Sequence, residues 1–230
     1  MEKFQPSHWN LVKESNDENI DPYTLVKQCV NFHSGPYDDH KIVKKFFNNQ
    51  IGTFLSCGAN TGIDQSFQLL KSGWAGVYIE PNPVACVELL KQTQNYQQNV
   101  TVLNAALFPS TGIKKFNLCL TNSVLSSTKD GWIEQHDNNS SVRSIFVSAI
   151  TLSDVMALLN YKVEYVQTDL EGIDSEIINS FDWSLAKSCK MICTEAGPSV
   201  LKPLCQQGDF MITDVTATNA FYKRKEYLLN

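Results

Sequence analysis

Hydrophobic and polar positions along this chain alternate between two periods, that of a buried strand and that of an amphipathic helix. Asp38 to Phe47 carries apolar residues at Ile42, Val43, Phe46 and Phe47, the spacing of one helical face. Gly52 to Cys57 is a short apolar run ending at a Gly turn and reads as a buried strand. Ile63, Phe67 and Leu70 then stand at i, i+4 and i+7. They predict a second helix, capped by Thr61 with Asp64 and stopped by Gly73. Ala75 to Glu80 is a second strand. Asn82 caps the next helix with Pro83 in its first position, where a missing N–H costs nothing. That helix runs to about Gln94, and Val100 to Ala105 is a third strand.

The middle of the chain changes character. Lys114 to Leu120 and Arg143 to Val147 are strand-like. Between them Thr121 to Ser141 is rich in Asn, Ser and Asp and has no period. A segment this long inside a compact domain marks a lid, a binding loop or disorder; a lid-like loop at about 121–143 is the expectation. Alternation then resumes. Thr151 to Leu159 is a helix with Thr151 and Asp154 as a capping pair, and Val163 to Thr168 is a strand. Ile173 to Asn179 is helical, Cys189 to Thr194 a strand and Pro198 to Gln206 a helix. Phe210 to Val215 and Ala220 to Lys223 form a terminal pair. The pattern predicts the α/β class, a parallel sheet with helices on both faces. The expected organisation is a polar N-terminal extension over 1–32, with a short helix around Tyr23 to Val26, and one domain over 33–230.

Composition narrows the partners. The 230 residues are 43% apolar and 19% charged, enough to bury a core. Net charge is −5, and no Lys/Arg run is of the kind that tracks a nucleic-acid backbone. A nucleic-acid partner is therefore not expected, and Lys223-Arg224-Lys225 reads as a solvated strand end. The seven cysteines are odd in number, form no C-x-x-C pair and sit mostly in apolar runs. They predict a reduced, cytoplasmic protein with no zinc site. Met1 to Asn19 has no apolar core of a signal peptide, and no stretch is apolar enough to span a membrane.

Three strand ends carry chemistry suited to a nucleoside cofactor, and ligands of such sheets bind at the carboxyl ends of strands. Ser56-Cys57-Gly58-Ala59-Asn60-Thr61-Gly62 lets a ligand approach the backbone. Glu80 ends the next strand and can accept both hydroxyls of a ribose. Asn104-Ala105-Ala106 can frame an adenine. The spacing is G-x-x-x-G rather than the G-x-G-x-x-G of dinucleotide sites, which favours S-adenosylmethionine (SAM) over NAD.

In their order, Phe54 to Gly62, Ile79-Glu80-Pro81-Asn82-Pro83, Asn104-Ala105-Ala106-Leu107, Thr151-Leu152-Ser153-Asp154 and Thr168-Asp169-Leu170-Glu171-Gly172 resemble the FkbM-type SAM-dependent methyltransferases. His33-Ser34 through Asp39 resembles that family's entry segment, and the likeness spans roughly residues 33 to 225. The resemblance implies a Rossmann-like, seven-stranded SAM-binding sheet and methyl transfer to an oxygen of a sugar or other small metabolite. It implies a cofactor site of Ser34, Ser56, Gly58, Ala59, Asn60, Gly62, Glu80, Pro81, Asn82, Asn104, Ala105, Ala106 and Asp169. Gly58, Ala59, Asn60 and Gly62 would line the methionine part, Glu80 would hold the ribose, and Asn104 and Ala105 would sit by the adenine.

One position departs from the family pattern: Ser56 stands where an Asp normally helps to fix the cationic end of SAM. Losing a charge-assisted hydrogen bond costs about 1.5–3 kcal/mol, or roughly tenfold to a hundredfold in affinity. This supports the alternative of a weak or inactive methyltransferase-fold interaction module. For catalysis the candidates are Asp169, Glu171 and Glu195 at the ends of two later strands. Either Asp169 or Glu171 would accept the hydroxyl proton, or Asp169 and Glu195 would hold Mg²⁺. Asn122 to Ser127 is expected at the acceptor pocket, Trp132 is a candidate for substrate stacking, and Trp74 and Trp183 are expected in the core.

Overall fold

The computed structural model describes residues 31–32, 38–62, 64–137, 139–197 and 202–228. Its elements, in chain order, are β1 (Asn31–Phe32), α1 (Asp38–Phe47), β2 (Thr53–Cys57), α2 (Gln65–Lys71), β3 (Ala75–Ile79) and α3 (Pro83–Thr93). There follow β4 (Val100–Leu103), β5 (Ala106–Leu107), β6 (Gly112–Cys119), α4 (Trp132–His136), β7 (Val142–Ile150) and α5 (Leu152–Leu158). The last are β8 (Tyr165–Thr168), α6 (Asp174–Ser180), β9 (Met191–Thr194), α7 (Lys202–Gln207), β10 (Phe210–Val215) and β11 (Ala220–Arg224).

The main sheet has eight strands in the order β1-β10-β11-β9-β8-β2-β3-β4. The seven-stranded expectation holds for β10 to β4, and the two-residue β1 adds an edge strand parallel to β10. The sheet is mixed rather than all parallel. β11 runs antiparallel to both β9 and β10, whereas β9, β8, β2, β3 and β4 are mutually parallel. The chain leaves β2 toward β3 and β4 on one side and later returns to β8 and β9 on the other. The switch point of the sheet therefore lies between β2 and β8. A second sheet, β5-β7-β6, was not expected. There β6 and β7 form a long antiparallel pair and β5 pairs in parallel with β7.

Alternate side chains of the central strands feed two cores. Leu55, Cys57, Val77, Ile79, Val166 and Ile192 pack against α5 and α6 on one face. Phe54, Tyr78, Tyr165, Met191 and Cys193 pack against α1, α2 and α3 on the other. Strands buried on both faces show no polar alternation, which is why they read as continuous apolar runs. Trp74 and Trp183 are each 1% exposed and lie in the core as expected. Asn82 caps α3, accepting from the backbone N–H groups of Val84 and Ala85 with Pro83 at the first position. Thr151 and Asp154 close a capping box on α5.

Two expectations are corrected. The cap of α2 is Asp64 alone, which accepts from the Phe67 N–H at 3.1 Å. The run Lys223-Arg224-Lys225 is not a solvated end: Arg224 is buried and donates to the carbonyls of Cys189, Gly208, Trp183 and Ala186. Its guanidinium lies 4.5 Å from the Phe210 ring centroid, and Lys223 pairs with Asp214 at 2.8 Å. This buried cation is satisfied by four peptide dipoles. Of the expected N-terminal extension, only Asn31 and Phe32 are among the described residues. Among the described residues no helix is long and apolar enough to cross a membrane.

Candidate functional site

A cavity of about 250 Å³ opens where β2, β3 and β8 end, at the switch point of the sheet. Gly58 is at its floor. Its backbone N–H donates to the Ile79 carbonyl at 2.9 Å, and the N–H of Asp169 donates to the Cys57 carbonyl at 3.0 Å. Gly58 has φ +74°, and a Cβ there would lie 1.7 Å from the Asp169 carbonyl oxygen. Only glycine lets the first and fourth core strands turn outward this close together.

Glu80, 5% exposed, stands at the end of β3. Its Oε2 accepts the N–H of Asn60 at 2.6 Å and its Oε1 accepts the N–H of Asn82 at 2.7 Å. Burial pushes its carboxyl up to about 7, against the pull of those two amides. Each oxygen keeps a lone pair for a ligand hydroxyl. Asn104 ties the neighbouring turn to this one, donating from Nδ2 to the carbonyls of Glu80 at 2.8 Å and Pro81 at 3.3 Å.

Ser56 is buried beneath the cavity and donates from Oγ to Asp64 Oδ2 at 2.8 Å. Ser66 Oγ donates to the other oxygen of Asp64, and Asp64 itself lines the cavity. Burial raises the Asp64 carboxyl, and its hydroxyl and amide donors oppose that shift.

Asp169, Glu171 and Glu195 come together as expected, each offering an oxygen within 4.8 Å of the others. Among the described residues this is the one such cluster of possible metal ligands. Burial and the mutual repulsion of Glu195, Glu171 and Asp174 hold the Asp169 carboxyl well above the usual carboxylate range. Glu195 is pushed up to about 8 by burial and then by Glu171, Asp174 and Asp39. Three carboxylates this close do not all ionise without a counter-charge, so they share protons or surround a cation. Ile173 is the N-cap residue of α6 and supplies no side-chain cap, while Asp174, a residue not foreseen, accepts from the Leu170 N–H at 3.1 Å. Glu171 sits in the left-handed region at φ +51°, a strained geometry for a non-glycine residue.

The segment from Thr121 to Ser141 forms the outer wall. Ser123, Val124, Ser126 and Thr128 line the cavity beside Phe116 of β6. The segment is tied to the β8 end through Glu171. Ser127 Oγ donates to the Glu171 carbonyl at 2.7 Å, and Trp132 Nε1 donates to Glu171 Oε2 at 2.8 Å. Trp132 faces His136 at 4.1 Å between centroids, and its ring covers Gly172. It is thus a tether of this wall and not part of the cavity lining.

Gly58, Ala59, Asn60, Glu80, Pro81, Ala106, Asp169 and Glu171 of the expected site line the cavity. Ser56, Gly62, Asn82, Asn104, Ala105 and Glu195 stand behind or beside it and do not line it. Ser34 lies outside the described residues. Asp64, Leu107, Phe116, Thr128 and Gln167 line it without having been foreseen. Two properties of the lining bear on its ligand. Four carboxylates (Asp64, Glu80, Asp169, Glu171) line it, and among the described lining residues there is no Lys, Arg or His. Asn60 Oδ1, Thr128 Oγ1 and Asp169 Oδ1 are buried there with no hydrogen-bond partner among the described residues. Orphaned polar atoms converging on one cavity fit a polar ligand.

No family model matches this chain, and no curated protein matches it. Solved structures do align with it. One is a putative methyltransferase, yhhF, from Escherichia coli, with 13% identity, 83% of this chain and 87% of that chain covered, and a TM-score of 0.44. The main sheet of this chain is Rossmann-like, five parallel central strands flanked by the reversed β11. A 1,6-didemethyltoxoflavin-N1-methyltransferase from Burkholderia thailandensis, with bound 1,6-didemethyltoxoflavin and S-adenosylhomocysteine, aligns at 10% identity over 81% of this chain and 76% of that chain, TM-score 0.43. A putative RNA methyltransferase, PH1948 from Pyrococcus horikoshii, aligns at 9% identity over 87% and 96%, TM-score 0.41. The order and direction of the seven principal strands carry the fold independently of these alignments.

Proposed function

We propose that this chain is a SAM-dependent methyltransferase acting on a hydroxyl of a sugar or other small metabolite. The observation that carries the reading is the charge of the cavity. A site at the switch point, lined by four carboxylates and no basic residue among those described, suits a cationic nucleoside and repels a phosphate-bearing one. SAM is such a cation, and NAD is not. The G-x-x-x-G turn and Glu80 support the same reading, as does the FkbM-type order of motifs.

In this reading the Glu80 oxygens accept the ribose hydroxyls while their second lone pairs hold the Asn60 and Asn82 amides. Gly58 and Ala59 lie under the methionine part, and Ala106 and Leu107 lie beside the base. The acceptor enters between the β8 end and the wall of Ser123, Val124 and Thr128. SAM bound there would supply an electrophilic methyl group to the acceptor oxygen, with S-adenosylhomocysteine (SAH) as the other product. Asp169 receives the hydroxyl proton, because its Oδ1 lines the cavity without a partner among the described residues. Glu171 is held by Trp132, and burial, followed by the neighbouring Glu195, raises the proton affinity of Asp169. Alignment of acceptor and sulfonium supplies much of the rate.

Incubation with SAM and a panel of sugars and small alcohols, read by mass spectrometry, tests this. A methylated product whose formation falls by about a hundredfold or more in Asp169→Asn is expected. Tight SAM binding with no transfer to any hydroxyl, but transfer to an amine or to RNA, would contradict the acceptor class.

A further inference from the structure

Ser56 occupies the position where the resembled family carries a carboxylate, and a carboxylate from further along the chain stands beside it. Asp64 reaches back across the turn, accepts from Ser56 Oγ at 2.8 Å and lines the cavity beside Asn60. We propose that Asp64, positioned by Ser56, receives the ammonium group of the cofactor's amino-acid tail, so that the charge missing from the strand end is supplied by the cap of the next helix. The inference rests on the SAM reading above.

Three observations support it. Capping α2 occupies only Oδ1, which takes the Phe67 N–H, and an uncharged Ser, Thr or Asn would cap as well. The second oxygen, Oδ2, is left to Ser56 and the cavity. The other cavity carboxylates have other work: both Glu80 oxygens hold backbone amides, and Asp169 and Glu171 belong to the cluster at the β8 end. Finally, Asn60 Oδ1, on the same wall, is a buried acceptor with no donor among the described residues. An ammonium group brings three donors and no acceptor, which suits a carboxylate and an amide oxygen together. Burial raises the Asp64 carboxyl, and a cation beside it would return it to the ionised form.

The test compares three ligands by calorimetry: SAH, its analogue lacking the amino group, and 5′-methylthioadenosine, which lacks the whole tail. The wild-type protein is expected to prefer SAH over the desamino analogue by about tenfold or more. Asp64→Asn, which keeps a capping side chain, is expected to erase that preference and leave 5′-methylthioadenosine affinity within about twofold. Ser56→Asp combined with Asp64→Asn is expected to restore it. Equal wild-type affinity for SAH and the desamino analogue overturns the proposal without any variant. So does an Asp64→Asn protein that loses all three ligands equally, since that loss is structural. A wild-type protein that binds none of them overturns the SAM reading itself, and this inference with it.

Discussion

Glu80 Oε2 accepts the backbone N–H of Asn60 at 2.6 Å, and through this bond one buried carboxylate holds the turn from Gly58 to Gly62, with Asn60 in the left-handed region at φ +46°. The other oxygen fixes the start of α3 through Asn82. The two walls flanking the cavity thus hang from a single side chain. Glu80→Gln keeps the shape but must present an NH₂ group to one of the two amides. It is expected to lower SAH affinity by about tenfold or more and to lower the thermal midpoint as well. Titration and thermal unfolding of the same variant check both.

The raised carboxyls make stability and binding respond to pH in opposite directions. Glu80 titrates near 7 and Glu195 near 8 when folded, against about 4.3 when unfolded. Between those values the folded state holds more protons than the unfolded one, so stability falls as pH rises. The unliganded protein is expected to melt at a lower temperature at pH 8 than at pH 6. Glu195→Gln should flatten the upper part of that slope. Ribose hydroxyls donate to the ionised form of Glu80, so SAH affinity should instead weaken as pH falls through about 7.

Trp132 ties the segment from Thr121 to Ser141 to the end of β8. Its indole N–H donates to Glu171 Oε2 at 2.8 Å, and its ring would collide at 2.5 Å with any Cβ on Gly172. Trp132→Phe keeps most of the ring packing and removes the donor. The expected result is a raised KM for the acceptor with cofactor affinity unchanged, measured by steady-state kinetics and titration. Gly172→Ala, which also sits at φ +101°, should be worse on both counts.

Arg224 anchors the far end of the sheet. Replacing it with Met would remove the side-chain donor from the carbonyls of Cys189, Gly208, Trp183 and Ala186, of which Ala186 still accepts the Cys189 N–H. A loss of about 3 kcal/mol is expected, which lowers the thermal midpoint by roughly 6–12 °C in a domain of this size. Arg224→Lys should recover only part, because one ammonium has three donors where the fork has five.

Much of the fold was legible because its central strands are buried on both faces and its helices are amphipathic. The Asn82-Pro83 and Thr151–Asp154 starts could be read directly, since their chemistry is local. The reversal of β11 could not, because an apolar run such as Ala220 to Arg224 reads alike in either direction. β5 is two residues long and exists through its pairing with β7. Arg224 looked solvated because its four acceptors are backbone carbonyls, which no side-chain pattern marks. At the site, Gly58, Glu80, Asp169 and Glu171 were readable from strand ends. Asp64 was noticed only as a helper of Thr61. Its spacing from Ser56 across a turn was the available signal, but only the folded turn joins the two. The wall from Ser123 to Thr128 has no period to read.

The cavity at the ends of β2, β3 and β8 is proposed to bind a cationic nucleoside cofactor. The most direct measurement is calorimetric titration of the wild-type protein with SAM, SAH and NAD under one set of conditions. Saturable one-to-one binding of SAM and SAH, with none of NAD, is the predicted result. Binding of NAD, or no heat from SAM and SAH at a concentration of protein shown to be folded, would contradict it.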